Sequence, residues 1–227
     1  MDNGKAITIE PIAYMRSGYN DKFGIPRQSG LAKSIISEIV FYKKYWDENI
    51  IRDIEQYSHL WLIWGFSDNF GEWSPTVRPP KLGGNKRMGV LATRSPYRPN
   101  NLGLSCVELL EILEDEGFYV LVVAGADLKD NTPIFDIKPY LPYVDSIPDA
   151  DGGFAEEYKD DTSEVIFYDG IDVPEHTKHE IAEILSFDPR PQYHSDDSRV
   201  YNFSYKQYEV KFVYNNGKII VKEIVHI

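Results

Sequence analysis

The chain has 227 residues, of which 42% are hydrophobic and 14% aromatic, and its formal net charge is −12 at pH 7. This length and composition support one sizeable folded domain with a small appendage and exclude an intrinsically disordered chain. The single cysteine, Cys106, excludes an intrachain disulfide, and the most apolar stretch, HLWLIWGF, is far shorter than the roughly twenty residues that span a bilayer.

The first residues, MDNGKAITIEPIAY, contain neither the basic region nor the apolar run of a signal peptide. We therefore expect a cytoplasmic protein that does not enter a membrane.

Short β-type segments dominate the first 145 residues. They are rich in β-branched and aromatic residues and are separated by Gly, Pro, Asn or Asp, which is typical of strands joined by turns. No long segment of helical period alternates with them, so a mainly β fold with an antiparallel β-barrel is expected, because closure hides strand edges. The segments are AITIEPIAY, SIISEIVFY, HLWLIWGF, RMGVLAT, LSCVELLEIL, FYVLVVAGADL and PIFDIKPY, with a hairpin turn at DEGF.

The character of the chain changes after about residue 146. SIPDADGGFAEEYKDDTSE is acidic and turn-rich and is a candidate linker, and PEHTKHEIAEILSF has a helical pattern with Ile181, Ile184 and Leu185 on one face. The end of the chain predicts a hairpin with its turn at Asn215, Asn216 and Gly217. We therefore expect a β-barrel domain at 1–148 and a small α+β module at 160–227.

Charge is distributed unevenly along the chain. The first 104 residues carry 14 Lys and Arg against 10 Asp and Glu, the remainder carries 10 against 26, and no acid lies between Glu72 and Glu108. A local basic field attracts anions such as phosphates even when the whole molecule is negative. The alternative is that these basic residues form a face that is exposed to solvent and binds no anion. The cations between these two acids are Arg78, Lys81, Lys86, Arg87, Arg94 and Arg98.

Several familiar chemistries are excluded by their missing motifs. The chain has no Walker A, GxGxxG or GxSxG pattern, and its five histidines lack metal-ligand spacing beyond His176 and His179. We therefore expect no metal. Cys106 is interpreted as a buried small hydrophobic residue, because no neighbouring group in the sequence would lower the pKa of its thiol.

Polar clusters follow several predicted strands. FGIPRQ, YSHLW, ATRSPYRPN and DLKDNTPIFDIKPYLP each have an ordinary interpretation as loop caps, turns or an interior histidine. Together they form a rim of both signs, including Asp127, that suits a zwitterionic ligand: arginine binds a carboxylate through two hydrogen bonds, and aspartate binds an ammonium group or a ribose diol.

These clusters, in this order, resemble the TsaA-like family, whose characterised bacterial members are TrmO-type tRNA methyltransferases. The resemblance extends from residue 9 to about 214, through KFGIPRQSGL, YSHLWLIWGF, PTVRPPKLGGNKRMGVLATRSPYRPNNLGLS, DNTPIFDIKPYLPYVDSIPDA and FDPRPQYH. It implies S-adenosylmethionine (SAM) bound to an antiparallel β-barrel, a homodimer, and methylation of N6 of N6-threonylcarbamoyladenosine beside the anticodon of threonine tRNA.

The resemblance also implies roles for residues that match the family motifs. Arg94 would bind the cofactor carboxylate. The residues that would bind the phosphates of the tRNA backbone are Arg78, Lys81, Lys86, Arg87 and Arg98. Asp136 or Tyr140 would lie near the N6 proton, unless Asp136 only pairs with Lys138. The expected cofactor-binding residues are Pro26, Arg27, Gln28, His59, Leu60, Arg94, Leu104, Asp130, Asn131, Thr132 and Pro133.

Four segments depart from the family pattern, among them RSGYN in place of the commoner Ser-Pro start and GFSDNF without the usual His. Asn101-Leu102 stands where Pro-Ile is usual, and Asn131 stands where Gly is usual. Asparagine tolerates positive φ better than other non-glycine residues, so we expect the turn at Asn131 to be preserved.

An anticodon-loop base has to be unstacked to be reached, and Trp73, Tyr97 or Tyr143 is a candidate to hold it. Two alternatives stay open: a non-catalytic nucleotide- or RNA-binding β-barrel module, and a SAM methyltransferase that acts on a different acceptor.

Overall fold

The structure, a computed structural model, describes residues 4–83, 86–115, 118–190 and 199–227. Six antiparallel strands form the first sheet, which closes on itself into a barrel because the first strand pairs with both the second and the last. The strands of this part of the chain are β1 (Ala13–Arg16), β2 (Ile36–Phe41), β3 (His59–Gly65), β4 (Thr76–Val77), β5 (Met88–Gly89), β6 (Leu102–Asp115), β7 (Phe118–Ala124) and β8 (Pro133–Pro139). The order round the closed sheet is β1-β2-β7-β6-β3-β8, and β4 and β5 form a separate two-stranded sheet.

The inner face of the closed sheet holds the first hydrophobic core. Alternate residues of β3, Leu60, Leu62 and Trp64, are buried in it, as the two-residue period of a strand requires. The indole of Trp64 lies across Gly103 of β6, where a Cβ would overlap the ring, so only glycine fits there.

A connection of 36 residues, 66–101, joins β3 to its antiparallel neighbour β6. We call it the basic connection, because it contains all six cations between Glu72 and Glu108. Asn101, the last residue of this connection, is buried and has a φ of 48°. The side-chain amide of Asn101 donates to the carbonyls of Glu72 (2.9 Å) and Pro96 (2.7 Å), and its oxygen accepts from the amide of Gly71 (3.1 Å). One side chain thus joins the two ends of the connection.

The second sheet has the order β10-β11-β12-β9, with β9 parallel to β12. A short helix, α1 (Pro142–Asp145), precedes this part of the chain. The other elements are β9 (Glu164–Phe167), α2 (Glu175–Ser186), β10 (Tyr201–Tyr205), β11 (Tyr208–Asn215) and β12 (Lys218–His226).

The second core is shared between the two parts of the chain. It buries Ile181, Ile184 and Leu185 of α2, and also Tyr19 and Ile35 from the connection between β1 and β2. This connection, residues 17–35, therefore belongs to the second core although it lies between two strands of the first sheet.

The structure confirms a mainly β fold, the helix at Glu175–Ser186 with its predicted buried face, and the final hairpin, whose turn has φ 50° at Asn216 and 81° at Gly217. Two strand predictions were too long. Of AITIEPIAY only the end is a strand, because residues 4–10 are exposed and Pro11 has no N–H to donate. Of RMGVLAT only Met88–Gly89 is a strand, and a 3₁₀ turn follows at once.

Two predicted features lie partly outside the described residues. They are the DEGF turn, at 116–117, and the end of FDPRPQYH, at 191–194. In the same hairpin, Asp115 pairs with Phe118 across the two strands that the turn joins.

Replacing Asn101 with alanine is expected to lower the free energy of unfolding by about 2–4 kcal/mol. The change leaves three partly buried hydrogen bonds to the backbone unmade and places alanine at a positive φ. Urea unfolding of the variant measures the loss, and Asn100→Ala, at the exposed neighbouring position, is the matched control. Equal stability of the two variants would contradict the role of Asn101.

Candidate functional site

The connection between β1 and β2 carries three of the expected cofactor residues, Pro26, Arg27 and Gln28. The Arg27 guanidinium donates to the carbonyl of Arg190 in the C-terminal part of the chain (3.3 Å). Burial lowers the pKa of Arg27, while Asp188 and Asp161 oppose that shift. Arg27 therefore lies at a charged junction between the two parts of the molecule.

Arg190 is itself held rigidly. Its Nε and one terminal nitrogen each donate to Asp188 at 2.8 Å, and its guanidinium lies 3.4 Å from the ring centroid of Tyr214. A paired and stacked guanidinium is an ordered group, so the carbonyl that meets Arg27 has a fixed position.

Gln28 and Arg94, which are 66 residues apart in sequence, meet in the structure. The Arg94 guanidinium donates to the side-chain oxygen of Gln28, and the Arg94 side chain is otherwise exposed. The structure thus brings together two of the expected cofactor residues and leaves most donors of the guanidinium facing solvent, where a carboxylate can bind.

Asp127 lies near enough to Arg94 to interact with its charge, and it is not among the cofactor-binding residues that the resemblance implies. Its carboxylate accepts from the hydroxyl of Ser105 (2.5 Å), which in turn accepts from the indole N–H of Trp64 (2.9 Å). Burial raises the pKa of Asp127 to about 6, although Ser105, Ser29 and Arg94 favour the charged form. Asp127 begins the segment DLKDNTPIFDIKPYLP, but only the fold shows that its carboxylate meets Ser105 of β6.

A small cavity of about 70 Å³ begins at Gly30, two residues after Gln28, where the hydroxyl of Ser29 accepts from the amide of Cys106 (3.0 Å). It is lined by His59 and Cys106 on the outer face of the closed sheet and by Gly30 and Lys33 of the β1–β2 connection. Nδ1 of His59 lies 2.9 Å from the hydroxyl of Ser58. The cavity therefore has one wall on the sheet and one on the connection.

Cys106 is partly exposed rather than buried, because its side chain is on the outer face of β6. Burial, and then the nearby Asp145, raises the pKa of its thiol, so the thiolate is disfavoured. This agrees with the interpretation that Cys106 is not a nucleophile.

The two leucines among the expected cofactor residues have opposite environments. Leu60 points into the first core and is fully buried, so its side chain is not available to a ligand. Leu104 is on the outer face, opposite Ile63, and is 56% exposed. Only Leu104 presents an apolar side chain that a ligand can contact.

Residues 130–133 form a turn that contacts the end of β1. The Asp130 carboxylate accepts from the amide of Ser17 (3.0 Å), and the amide of Asn131 donates to the carbonyl of Met15 (2.8 Å). Asn131 has φ 61°, which confirms that asparagine preserves a turn of positive φ. Within the described part of the chain, no hydrogen bond joins this turn to the Gln28–Arg94 pair.

Asp136 and Tyr140, the expected catalytic residues, lie on and just after β8. Asp136 forms an exposed ion pair with Lys138 (3.0 Å), which is the alternative that the sequence left open. The ring of Tyr140 lies 6.2 Å from that of His59 and 5.8 Å from that of Trp61, between centroids. Tyr140 is therefore close to the cavity wall.

The five expected phosphate-binding residues differ in availability. Arg78, Lys86 and Arg87 are exposed. Arg98 donates to the carbonyl of Thr93 (2.8 Å) within its own turn. Lys81 is only 15% exposed in its side chain, because it pairs with Asp161 of the acidic linker.

Two of the candidate stacking residues lie in the same connection. Trp73 and Tyr97 are 59% and 43% exposed, and the amide of Ser74 donates to the carbonyl of Tyr97 (3.1 Å). The two exposed rings are thus held on neighbouring segments close to Arg78 and Arg87. Tyr143, the third candidate, is exposed on α1.

In residues 4–83, 86–115, 118–190 and 199–227, no cluster of three or more His, Cys, Asp or Glu is arranged to hold a metal ion. The helices of the same residues are too short or too polar to cross a membrane.

Comparison with known proteins gives matches along most of the chain. A family model described as the tRNA-methyltransferase O N-terminal domain matches residues 14–146, and the TrmO C-terminal domain matches residues 170–227. A tRNA (adenine(37)-N6)-methyltransferase of Escherichia coli K12 is 42% identical over 195 residues, covering 82% of this chain and 83% of the relative.

Two further proteins are similar over most of their length. An enzyme of the same name from Eikenella corrodens is 43% identical, covering 74% of this chain and 97% of the relative. The crystal structure of TrmO from Pseudomonas aeruginosa superposes with a TM-score of 0.78 at 29% identity, covering 97% of this chain and 100% of that one.

The raised pKa of Asp127, about 6 in the folded chain against 3.8 ordinarily, predicts a pH-dependent effect of Asp127→Asn. The folded state holds this proton more tightly than the unfolded state, so ionisation of Asp127 reduces wild-type stability as pH rises from about 4 to 6. The variant lacks that penalty, and its stability relative to wild type should rise by roughly 1–3 kcal/mol between pH 4 and pH 7.

Urea unfolding at the two pH values measures the difference, and Asp149→Asn, at an exposed carboxylate, provides the comparison. A constant difference between Asp127→Asn and wild type would show that Asp127 is not a buried carboxylate.

Proposed function

The chain belongs to the tRNA-methyltransferase O family, and we propose on that basis that it is a SAM-dependent tRNA methyltransferase acting on adenine 37. Two observations together support the proposal. Family models match both parts of the chain, and Arg94 and Asp127 form a cluster of opposite charges beside the closed sheet. The E. coli and E. corrodens relatives carry the name of that activity, and the alignments cover 83% and 97% of them.

The residues at the cluster fit the amino-acid end of SAM. That end carries a carboxylate and an ammonium group, and Arg94 and Asp127 present a guanidinium and a carboxylate beside each other. With a pKa of about 6, Asp127 is mostly ionised at pH 7 and suits an ammonium group. Gln28 fixes the orientation of the guanidinium, and exposed Leu104 offers an apolar contact on the same outer face as Cys106.

SAM supplies an electrophilic methyl group, and the task of the chain is to hold the acceptor nitrogen in line with it. We propose that this nitrogen is N6 of N6-threonylcarbamoyladenosine in threonine tRNA. A ureido nitrogen is weakly nucleophilic until its proton leaves, so a base near the acceptor assists. That Asp136 or Tyr140 serves there stays a prediction, for which turnover of Asp136→Asn at saturating SAM is the measurement.

The basic connection is the proposed tRNA-binding surface. It presents Arg78, Lys86 and Arg87 to solvent together with the rings of Trp73 and Tyr97. Guanidinium and ammonium groups bind phosphates, and exposed rings stack on unpaired bases, so the combination suits an anticodon loop rather than a duplex. Lys81 and Arg98 are less available, because both are partly buried, whereas Arg87 stays exposed although it donates to the hydroxyl of Thr76 (2.7 Å).

The homodimer that the family resemblance implies also remains a proposal. An apolar groove of about 700 Å³ supports it: Ile7 and Ile9 of the N-terminal segment face Phe70 and Phe135 across this groove. Sedimentation equilibrium of the purified chain is the measurement.

The function is tested by mass spectrometry of threonine tRNA after incubation with the protein and methyl-labelled SAM. We expect one added methyl group on the threonylcarbamoyl nucleoside and none on tRNA that lacks the threonylcarbamoyl group. Methylation of both tRNAs would favour a different acceptor, and SAM binding with no transfer to either would favour a non-catalytic module.

Replacing both Lys86 and Arg87 with alanine should weaken tRNA binding and flatten its dependence on salt. Each lost phosphate contact reduces the slope of log K against log salt by roughly 0.7–0.9. Filter binding between about 50 and 200 mM salt measures the slope. Lys43→Ala with Arg52→Ala removes the same charge from another exposed segment and should leave the slope unchanged; equal slopes in the two double variants would place the tRNA elsewhere.

A further inference from the structure

The β1–β2 connection, residues 17–35, is held at its beginning by the C-terminal sheet. The amide of Lys206 donates to the carbonyl of Gly18 (2.8 Å), and the Asn20 side chain donates to the carbonyl of Lys206 (2.7 Å). The amide of Ser204 donates to the Asp21 carboxylate (3.2 Å). These contacts join the start of the connection to β10 and the turn after it.

The end of the same connection is held by a single carboxylate on α2. Glu183 accepts from the amides of Lys33 (3.0 Å) and Ser34 (2.9 Å), and also from the hydroxyl of Ser34. Hydrogen bonds to an ionised acceptor are stronger than neutral ones, so this contact fixes two consecutive residues of the backbone.

Lys33, which Glu183 fixes, lines the small cavity described above and lies five residues after Gln28 in the same connection. Gly30 and Lys33 line the cavity that His59 and Cys106 complete. The amide of Gly30 donates to the carbonyl of Gly125 (2.8 Å), so the wall is pinned to the closed sheet on one side and to α2 on the other.

From this geometry we infer that Glu183 is a positioning residue for the SAM site, acting through the backbone of Lys33 and Ser34. The inference rests on the proposed function and adds a role for the C-terminal module in forming the cofactor pocket. Glu183 does not touch the cavity itself. It sets the distance between the two walls, which determines how well a ligand fits between them.

The attachment of α2 to the protein does not depend on Glu183. Ile181, Ile184 and Leu185 on the same helix are buried in the second core. Loss of the carboxylate therefore leaves the helix in place and releases the connection alone. A role in general stability would instead affect all functions of the chain equally.

The test is the affinity for SAM of the full-length chain with Glu183→Gln, measured by titration calorimetry. The amide of glutamine has one oxygen and no charge, so it cannot accept from both backbone amides with the same strength. We expect the Kd for SAM to rise about tenfold and the affinity for tRNA in the absence of SAM to change less than twofold. Hydrogen exchange at the amides of Lys33 and Ser34 should accelerate in the same variant.

The matched control is Glu175→Gln, which neutralises an exposed carboxylate in the first turn of the same helix. It should leave both affinities unchanged. Should Glu183→Gln fail to fold, Ser34→Ala removes one partner of the carboxylate and should weaken SAM binding about two- to threefold.

Two results would overturn the inference: an unchanged Kd for SAM in the variant, or an equal loss of affinity for SAM and tRNA. If wild-type protein binds no SAM at all, the proposed function fails instead.

Discussion

The arrangement of the molecule depends on the burial of the β1–β2 connection in the core of the C-terminal sheet. This connection contains no helix or strand, yet it carries Tyr19, Ala32 and Ile35, which are buried against α2 and the strands that follow it. Gly24, at φ 99°, lies close against the ring of Phe203, where a larger residue would collide. The closed sheet alone offers these side chains no core, so the two parts of the chain fold as one unit around the connection.

The candidate site follows from that arrangement, because charged groups from distant segments meet where the connection passes between the sheets. Arg27 donates to the carbonyl of Arg190, and Arg94 donates to the side-chain oxygen of Gln28. Asp127 adds a carboxylate held by Ser105. Arg94 offsets part of the desolvation cost of the Asp127 carboxylate, and its exposed guanidinium keeps donors free for a ligand.

The features that the sequence predicts correctly are the local ones. The buried face of α2 follows from a spacing of three to four residues, and the final turn follows from Asn216 and Gly217. The resemblance implies that Gln28 and Arg94 both bind the cofactor; their side chains are in contact, and the binding itself stays a prediction. The burial of Leu60 is also readable from the strand period, but the resemblance alone placed it in the cofactor site.

The sequence does not predict the contacts that join distant segments. Glu183 and Ser34 are 149 residues apart, and Lys81 and Asp161 are 80 apart. No period or motif connects such pairs, and each residue alone is typical of a solvated surface. Asn101 illustrates a further limit. Its φ of 48° is inaccessible to the proline that is usual at the matching position, so the backbone conformation of this chain differs there from the family pattern.

The parallel pairing of β9 with β12 has a consequence for synthesis on the ribosome. All strands of the closed sheet have been synthesised once residue 139 has emerged. The second sheet cannot be completed until β12 (Lys218–His226), which pairs with β9, has also been synthesised. At roughly 5–20 residues per second, the nascent chain spends on the order of ten seconds with Tyr19 and Ile35 uncovered. A chaperone that binds apolar segments of emerging chains has that interval in which to act.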